Sequence, residues 1–307
     1  MKRSFAKVLT RENTYQSMLK SRLSSRLAPH TSGVPKPGPM PIYLENSMPA
    51  SKPNAATPLQ PRRRAIIIGS AKGLGAALAR RLAREGYLLG LIDRNPELLQ
   101  TTCSEINAAG EGTQALAYIH DVTAFDEIPA LLQKIMLDLG GLDLFIYNAG
   151  ILLPTTPTTY DFEKDLKMMQ VNALGAQAWF NAVAPIFQSL NSGQIVGISS
   201  VAADRGRVGN PGYNASKAAL ATYLEALRNR LSRHGVHVLT VKPGFMDTDM
   251  LKDSPRTFWV VSPEQAANDI WMALKARKQT IYTLSRWGLV MWIIKHIPSV
   301  IFRRLSF

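Results

Sequence analysis

A tyrosine and a lysine four residues apart, Tyr213 and Lys217, are the strongest candidates for acid–base chemistry in the sequence. Residues four apart lie on one face of a helix. A cation near a phenol lowers its pKa, so the phenol exchanges a proton closer to neutral pH. Ser200 precedes Tyr213 by 13 residues, and its hydroxyl is suited to hydrogen-bond the carbonyl oxygen of a substrate. The three residues predict proton transfer at a carbonyl or alcohol oxygen.

A second tyrosine–lysine pair has the same spacing, Tyr160 and Lys164, so the pattern alone is not specific. Thirteen residues before Tyr160 lies Tyr147, inside a predicted strand, and this pair therefore lacks an upstream serine. We interpret it as the start of an exposed helix. Ser199 is adjacent to Ser200, but the 13-residue spacing favours Ser200.

A glycine-rich turn follows the first predicted strand and opens the first predicted helix. Glycines let a backbone approach a pyrophosphate closely, and a helix N-terminus offers unpaired N–H groups and the positive end of its dipole. The turn therefore predicts a dinucleotide-binding site, although its G-x-x-x-G-x-G spacing differs from the commoner fingerprint. The residues assigned to it are Gly69, Ser70, Lys72, Gly73, Leu74 and Gly75.

Acidic residues end the second and third predicted strands. Asp93 can accept hydrogen bonds from the adenosine ribose hydroxyls and would repel a 2′-phosphate. Lys72 and Arg94 indicate the opposite choice, because either cation can pair with that phosphate. We predict NAD or NADP as the cofactor, and the position of Asp93 favours NAD. Asp121 and Val122 are assigned to the adenine end, with a turn or helix cap as the alternative role of Asp121.

Strand-length apolar segments alternate with helical segments from residue 65 onward. The predicted strands are Ala65–Ile68, Tyr87–Ile92, Ala115–His120, Leu142–Tyr147, Ile195–Ile198, Val236–Val241 and Thr280–Thr283. The predicted helices are Leu74–Arg84, Glu97–Ala109, Ile128–Leu139, Phe162–Leu190, Tyr213–Arg233 and Pro263–Ala276. Strands that are apolar on both faces predict an α/β domain, with a parallel sheet covered by helices on both sides.

The motifs occur in the order and spacing of short-chain dehydrogenases/reductases, a family that residues 64–250 resemble. The resemblance is carried by Gly69-x-x-x-Gly73-x-Gly75, Asn148-Ala149-Gly150, Asn172, Ser200, Tyr213-x-x-x-Lys217 and Pro243-Gly244. It implies a Rossmann-like, doubly wound sheet of seven parallel strands in the order 3-2-1-4-5-6-7. It also implies an enzyme that transfers a hydride between the nicotinamide of NAD(P) and a secondary alcohol or ketone.

The resemblance also implies a role for each residue of a catalytic tetrad. Tyr213 would be the general acid/base, and Ser200 would orient the substrate oxygen. Lys217 would bind the nicotinamide ribose and lower the pKa of the phenol, and Asn172 would hold a proton-relay water. The further cofactor contacts are Asn148, Ala149 and Gly150 beside the fourth strand, and Pro243, Gly244 and Thr248 around the nicotinamide.

Two positions depart from the family's pattern. Ile68 stands where threonine is usual, and Tyr147 stands where the family's motif has a first asparagine. Both positions mainly support the fold through backbone hydrogen bonds, so we expect the chemistry to be unaffected.

The net charge of +14 is concentrated at the two ends of the chain. Residues 1–64 carry a net +10, residues 277–307 a net +6, and residues 65–276 a net −2. A nearly neutral body argues against nucleic-acid binding. The single cysteine, Cys103, excludes an intrachain disulfide framework and cysteine-rich zinc sites, and we predict no metal site.

Residues 1–63 are predicted to be a disordered, basic, proline-rich extension ahead of a catalytic domain at 64–283. The proline-rich part buries too little apolar surface to offset chain entropy. Residues 1–27 resemble a transit peptide or a membrane-surface helix, but a solvated tail or a chain start at Met48 is the favoured interpretation. We therefore expect a cytoplasmic protein. No apolar run reaches the roughly 18–20 residues of a membrane-spanning helix.

Residues 246–262 cover the substrate in the family that the chain resembles. Here they include Met246, Met250, Leu251, Phe258 and Trp259, which predicts an apolar substrate. The alternative is a lid that packs on its own domain and only excludes water.

The tail at 284–307 is dense in Trp, Ile and Phe and includes Arg286, Lys295, Arg303 and Arg304 without any acidic residue. This composition fits peripheral contact of residues 286–307 with an anionic membrane. The alternative is packing against a neighbouring subunit, since we expect a homo-oligomer.

Two alternative functions remain open. The tail resembles that of reductases of polyprenyl-linked keto sugars, which gives a second substrate class. A non-catalytic NAD(P)-binding scaffold or redox sensor would be a different class of protein. A pure binder needs the glycine-rich turn but not Ser200 and Tyr213 together, so the intact tetrad argues against it.

Overall fold

A computed structural model describes residues 63–110, 114–251 and 257–305. These residues form a seven-stranded sheet in the order β3-β2-β1-β4-β5-β6-β7, and each neighbouring pair is parallel. The strands are β1 (Arg64–Ile68), β2 (Leu88–Asp93), β3 (Ala115–Ile119), β4 (Leu144–Tyr147), β5 (Gln194–Ile198), β6 (His237–Lys242) and β7 (Thr280–Tyr282). The predicted doubly wound sheet and its strand order are confirmed.

Helices connect the strands, and three of them begin with a side-chain cap. They are α1 (Gly73–Arg84), α2 (Pro96–Ala109), α3 (Ile128–Leu139), α4 (Phe162–Met169), α5 (Gly175–Leu190), α6 (Pro211–Leu231), α7 (Pro263–Lys275), α8 (Arg286–His296) and α9 (Ser299–Phe302). The side chains of Asn95, Asp161 and Ser262 accept hydrogen bonds from the first turns of α2, α4 and α7. Such caps satisfy N–H groups that have no partner within the helix.

The long helix predicted at 162–190 contains a widened π-helical turn, Gln170–Leu174, between α4 and α5. The hydroxyl of Tyr147 donates a hydrogen bond of 2.6 Å to the carbonyl of Val171 in this turn. π-helical turns are rare and often mark functional sites, and this one includes Asn172.

Apolar side chains cover both faces of the sheet. Ile67 packs in a layer with Leu78 and Ile270, whereas Ile66 belongs to a layer with Trp179 on the other face. Successive side chains of a strand point to opposite faces, so strands buried on both sides read as continuous apolar runs. The helical layers therefore explain the apolar character of the strands.

The tail predicted at 284–307 contains two helices, α8 and α9, which Pro298 separates. Trp287 and Met291 of α8 are each 4% exposed and pack with Val201 and Phe245. No helix among the described residues is long and apolar enough to cross a bilayer. The predictions for residues 1–62, which include the extension and the alternative start, lie outside the described residues.

Candidate active site

The candidate residues gather at the carboxyl edge of the sheet, where the chain departs to opposite sides of β1. Strand β1 pairs with both β2 and β4, and ligands bind at such a switch point in open α/β sheets. Gly69 follows β1, Asn148 follows β4, Ser200 lies just beyond β5, and Pro243 follows β6. The topology thus brings together motifs that are far apart in the sequence.

The glycine-rich turn depends on missing side chains. Gly69 has φ +78°, and a Cβ on it would lie 2.7 Å from the backbone of Ala149. A Cβ on Gly75 would overlap the carbonyl oxygen of Gly69. No side chain caps α1 at Lys72, and the backbone N–H of Ala76 bonds to the carbonyl of Lys72, so the N–H groups of Gly73, Leu74 and Gly75 precede the first bond within the helix. The turn therefore has the unpaired donors and the open backbone that a pyrophosphate requires.

Asp93 connects β2 to the glycine-rich turn. Its carboxylate accepts hydrogen bonds of 3.1 Å from the backbone N–H groups of Ala71 and Asn95. Each carboxylate oxygen has further acceptor capacity. The side chain of Lys72 forms an ion pair of 2.6 Å with Asp249, and Arg94 is exposed. Asp93 is thus held in place by two backbone N–H groups. Lys72, one of the two cations predicted to favour NADP, is instead paired with Asp249.

Asp121 lies in a turn after β3. Its Oδ1 accepts hydrogen bonds from the backbone N–H and the hydroxyl of Thr123, at 2.9 and 2.7 Å. These bonds to the charged form hold the pKa of Asp121 below its usual range. Asp121 thus holds its own turn, and its assignment to the adenine end stays a prediction. Its neighbour Val122 is buried.

The motif after β4 builds the cleft floor. The amide of Asn148 donates a hydrogen bond of 2.6 Å to the carbonyl of Gly69. A Cβ on Gly150 would lie 2.9 Å from the Nζ atom of Lys217. This motif therefore packs against the glycine-rich turn on one side and against the lysine of α6 on the other.

Tyr213 and Lys217 lie on one face of α6. The Nζ atom of Lys217 is 5.9 Å from the centre of the Tyr213 ring and donates a hydrogen bond of 2.9 Å to the carbonyl of Ile198. Lys217 is 3% exposed, and burial lowers its pKa to about 8. The lysine is thus a buried cation beside the phenol.

The pKa of Tyr213 is raised, contrary to the prediction that it is lowered. Burial of the phenol is the largest cause, and a hydrogen bond with Ser200 and the positive charge of Arg207 oppose it. Loss of hydration disfavours a phenolate more than these neighbours stabilise it. The phenol therefore stays protonated at neutral pH.

The two adjacent serines after β5 have different partners. The hydroxyl of Ser199 donates a hydrogen bond of 2.8 Å to the backbone carbonyl of Lys217. The oxygen of Ser200 accepts from the backbone N–H of Ala202 at 3.1 Å, and Ser200 also hydrogen-bonds Tyr213. Ser200 is thus the serine whose side chain reaches the phenol.

Asn172 connects three segments from the π-helical turn. Its Oδ1 accepts from the backbone N–H of Ile151 at 2.7 Å. Its Nδ2 donates to the carbonyl of Ile151 at 2.9 Å and to the hydroxyl of Ser216 at 3.0 Å. The side chain therefore fixes the segment after Gly150 against α6.

The second tyrosine–lysine pair lies at the surface. Tyr160 is 94% exposed, and Lys164 donates a hydrogen bond to the carbonyl of Pro154. This pair therefore lies at the exposed start of α4, which agrees with the interpretation from the sequence.

The segment after β6 lies between the glycine-rich turn and α8. The carbonyl of Pro243 accepts a hydrogen bond of 3.0 Å from the backbone N–H of Val201. A Cβ on Gly244 would overlap the ring of Trp287, and a Cβ on Gly73 would lie 3.3 Å from the methyl group of Thr248. Helix α8 thus packs directly behind this segment, so the tail is not independent of the site.

Three residues of the loop between Ser200 and Tyr213 were missed by the sequence reasoning. The side chain of Asp204 is 1% exposed and pairs with Lys242 at 2.5 Å. Arg205 donates hydrogen bonds to carbonyls at the end of α8. Arg207 is half-buried and its charge acts on the phenol. Only the position of these residues between two motifs could have indicated them, because their partners lie far along the chain.

Comparison with known proteins decides the family. Residues 63–258 match the family model described as short chain dehydrogenase. The chain belongs to this family. The short-chain dehydrogenase fold and the predicted NAD(P)-dependent oxidoreductase class are therefore confirmed.

Curated relatives and solved structures agree with this assignment. The chain is 31% identical to the ketoacyl reductase HetN of Nostoc sp., over 68% of this chain and 74% of that protein. It is 32% identical to 2,3-dihydro-2,3-dihydroxybenzoate dehydrogenase of Bacillus subtilis, over 61% of this chain and 70% of that protein. A short-chain dehydrogenase/reductase from Burkholderia phymatum in complex with NAD has a TM-score of 0.67 at 22% identity, over 75% of this chain and 92% of that one. The structural match shows a shared fold.

Proposed function

We propose that this short-chain dehydrogenase interconverts a secondary alcohol and a ketone, with Tyr213 as the general acid/base. The observation that supports the proposal is the placement of Tyr213, Ser200, Lys217 and Asn172 beside the glycine-rich turn at the carboxyl edge of the sheet. A proton donor, an oxygen-orienting hydroxyl and a dinucleotide cleft are the parts that this reaction requires.

The glycine-rich turn fits a dinucleotide cofactor. Gly69 and Gly75 leave the backbone open, and the first turn of α1 has unpaired N–H groups for the pyrophosphate. We assign Asp121 and Val122 to the adenine end of the cofactor, and Thr248, which lies beside Gly73, to the nicotinamide end. When bound, the nicotinamide supplies or accepts the hydride.

Tyr213 acts on the substrate oxygen. In the direction of reduction, the phenol donates its proton to that oxygen while the hydroxyl of Ser200 holds it by a hydrogen bond. The raised pKa of Tyr213 keeps the proton in place at neutral pH, which suits the acid role. Lys217 would bind the nicotinamide ribose, and Asn172 would hold a proton-relay water.

The proposed cofactor preference is NAD. Asp93 is held at the end of β2, where its carboxylate opposes a 2′-phosphate, and the charge of Lys72 is offset by Asp249. Fluorescence titration with NADH and NADPH tests this preference, and NADH should bind more tightly. Stronger binding of NADPH would mean that Arg94 and Lys72 outweigh the acid.

We propose a lipophilic substrate. Met246 forms a bridge with Val261, and Phe258 and Trp259 form edge-to-face contacts with aromatic neighbours over this region. The likeness to a ketoacyl reductase supports a ketone with an acyl chain. A polyprenyl-linked keto sugar is the alternative substrate, and its polyprenyl chain is also lipophilic.

The decisive experiment replaces Tyr213 by phenylalanine and compares Tyr160→Phe as the matched control. NAD(P)H oxidation is followed with a panel of aliphatic ketones and aldehydes. Losing acid–base help should slow Tyr213→Phe by about 10²–10⁴-fold without changing cofactor affinity, while Tyr160→Phe keeps the full rate. A Tyr213→Phe enzyme with unchanged rate would refute the assignment. A wild-type protein that binds cofactor but turns over no carbonyl compound would favour the scaffold alternative.

We also propose that residues 286–307 contact an anionic membrane peripherally, in a cytoplasmic protein. The supporting observation is the exposure of Leu289, Trp292 and Ile293 on α8, at 65%, 60% and 51%. Co-sedimentation with anionic vesicles should be strong at low salt and weak at high salt. Absence of binding, together with a stable homo-oligomer, would identify this surface as a subunit contact.

A further inference from the structure

Helix α8 is apolar on two opposite faces. Trp287 and Met291 face the domain and are buried, whereas Leu289, Trp292 and Ile293 follow the i, i+3, i+4 spacing of the opposite face and are more than half exposed. A helix that is apolar all round is normally covered on all sides. The outer face of α8 therefore requires a second apolar environment.

The inner face of α8 packs against residues of the segment that covers the substrate region. The ring of Trp287 lies 5.2 Å from Phe258 and 5.4 Å from Trp259, and Arg286 lies 4.6 Å over Trp259. Phe258 and Val260 are 51% and 43% exposed. We call the exposed apolar residues of 258–260 and 289–301 the C-terminal surface.

The buried face of α8, beneath the C-terminal surface, packs against the active-site segments. Trp287 packs against Gly244, beside the predicted nicotinamide contact Pro243. Val201, which follows Ser200, belongs to the same buried cluster as Trp287. The buried cluster that contains Trp287 thus reaches the residue next to Ser200.

The charge of this region selects its occupant. Arg286, Lys295, Arg303 and Arg304 are exposed and lie close in sequence to the exposed apolar residues, and residues 277–307 contain no acid. Lys295 also lies 3.7 Å from the carboxylate of Asp204, so the other three cations carry most of the free charge. A second copy of the chain would bring like charges together, which is unfavourable. Anionic lipid headgroups complement the cations, at about 1 kcal/mol for each cation near the surface, while the apolar side chains enter the acyl boundary.

We propose that the C-terminal surface docks on an anionic bilayer and that the enzyme draws its substrate, a ketone or alcohol dissolved in the lipid, directly from that bilayer. The inference rests on the proposed function of the site. Docking places residues 258–260 at the lipid, so an apolar substrate reaches Tyr213 without crossing water. Substrates that are dilute in water and concentrated in the membrane benefit most.

The test uses the full chain and a double variant, Trp292→Glu with Ile293→Glu. Both positions are more than half exposed, so the fold should tolerate the change. The matched control is Leu137→Glu with Met272→Glu, two apolar residues that are 75% and 58% exposed outside this surface. On phosphatidylcholine–phosphatidylserine vesicles, the test variant should bind at least tenfold more weakly, and the control should bind like wild type.

The kinetic measurement compares a short-chain methyl ketone in buffer with a long-chain methyl ketone carried in the vesicles. We expect the test variant to keep the rate with the soluble ketone and to lose at least tenfold with the vesicle-borne one. Equal rates of variant and wild type on the vesicle-borne ketone would overturn the inference. Failure of the proposed function is distinguishable, because wild type would then turn over neither ketone while still binding vesicles.

Discussion

The cofactor side and the C-terminal side of the site differ in whether their contacts join residues of recognisable sequence motifs. On the cofactor side, Ala71 bonds to Asp93, 22 residues along the chain, and Asn148 bonds to Gly69, 79 residues away, and both bonds involve the glycine-rich turn. On the C-terminal side, Arg205 bonds to the carbonyl of Ile297, 92 residues away, and Tyr282 bonds to Asp204, 78 residues away. The contacts of Asp204 and Arg205 belong to no motif of fixed spacing, so the sequence did not indicate them.

The largest loss of stability is expected when the packing between α8 and the segment after β6 is removed. Trp287→Ala deletes a 4% exposed ring that contacts Gly244 and Phe245, which should cost about 3–4 kcal/mol of stability. Trp292→Ala, on the exposed face of the same helix, should cost less than about 0.5 kcal/mol. Denaturant unfolding monitored by circular dichroism measures both, and equal losses would contradict the packing described for α8.

A smaller energetic cost, measured as weaker cofactor binding, is expected from a substitution in the glycine-rich turn. Gly75→Ala would place a Cβ onto the carbonyl of Gly69 and near the amide of Asn148, so the turn must shift at a cost of about 2–3 kcal/mol. Cofactor binding should weaken about 30- to 100-fold, as measured by NADH fluorescence titration. Gly206→Ala is the control, since a Cβ there meets nothing within 4 Å. Equal affinities would show that the turn does not contact the cofactor.

Replacing the buried lysine should stabilise the protein while abolishing turnover. Burial lowers the pKa of Lys217 from 10.5 to about 8, which corresponds to about 3 kcal/mol against the charged form. Loss of the hydrogen bond to Ile198 offsets about 1 kcal/mol. Lys217→Met should therefore gain about 2 kcal/mol at neutral pH.

The stability gained by Lys217→Met should depend on pH. Below pH 8 the lysine is charged in both the folded and the unfolded state, so the penalty is fully present. Between pH 8 and 10.5 the folded state has lost the proton, wild-type stability rises, and the gain of Lys217→Met shrinks. Thermal unfolding at several pH values measures this. Lys164→Met, at a 41% exposed side chain, should show no such trend.

The smallest change in stability is expected from removing the ion pair between Lys72 of the glycine-rich turn and Asp249 of the segment after β6. The side chains of Lys72 and Asp249 are 63% and 53% exposed, and such pairs contribute less than about 1 kcal/mol. Lys72→Ala should leave stability within about 0.5 kcal/mol and should not weaken NADH binding. A large loss of NADPH affinity in this variant would instead identify Lys72 as a phosphate ligand.

The fold and most of the candidate site could be predicted from the sequence. Strands that are apolar on both faces indicated the parallel sheet, and the bounds of the predicted strands agree with β1–β7 to within two residues. Gly75, Asp93 and Tyr213 were assigned to the site from residue type and fixed spacing. Ser199 and Ser200 were distinguished by a 13-residue spacing, and their partners in the structure differ accordingly.

Other features required the tertiary structure. The sequence predicted a lowered pKa for Tyr213 from the nearby lysine, but the pKa is raised, because burial depends on every element packed around the phenol. The sequence likewise treated the tail as separate, whereas Trp287 packs against Gly244. Local spacing determines which groups are adjacent on a strand, turn or helix. Their burial, and the contacts between segments far apart in the chain, are decided only when the layers pack.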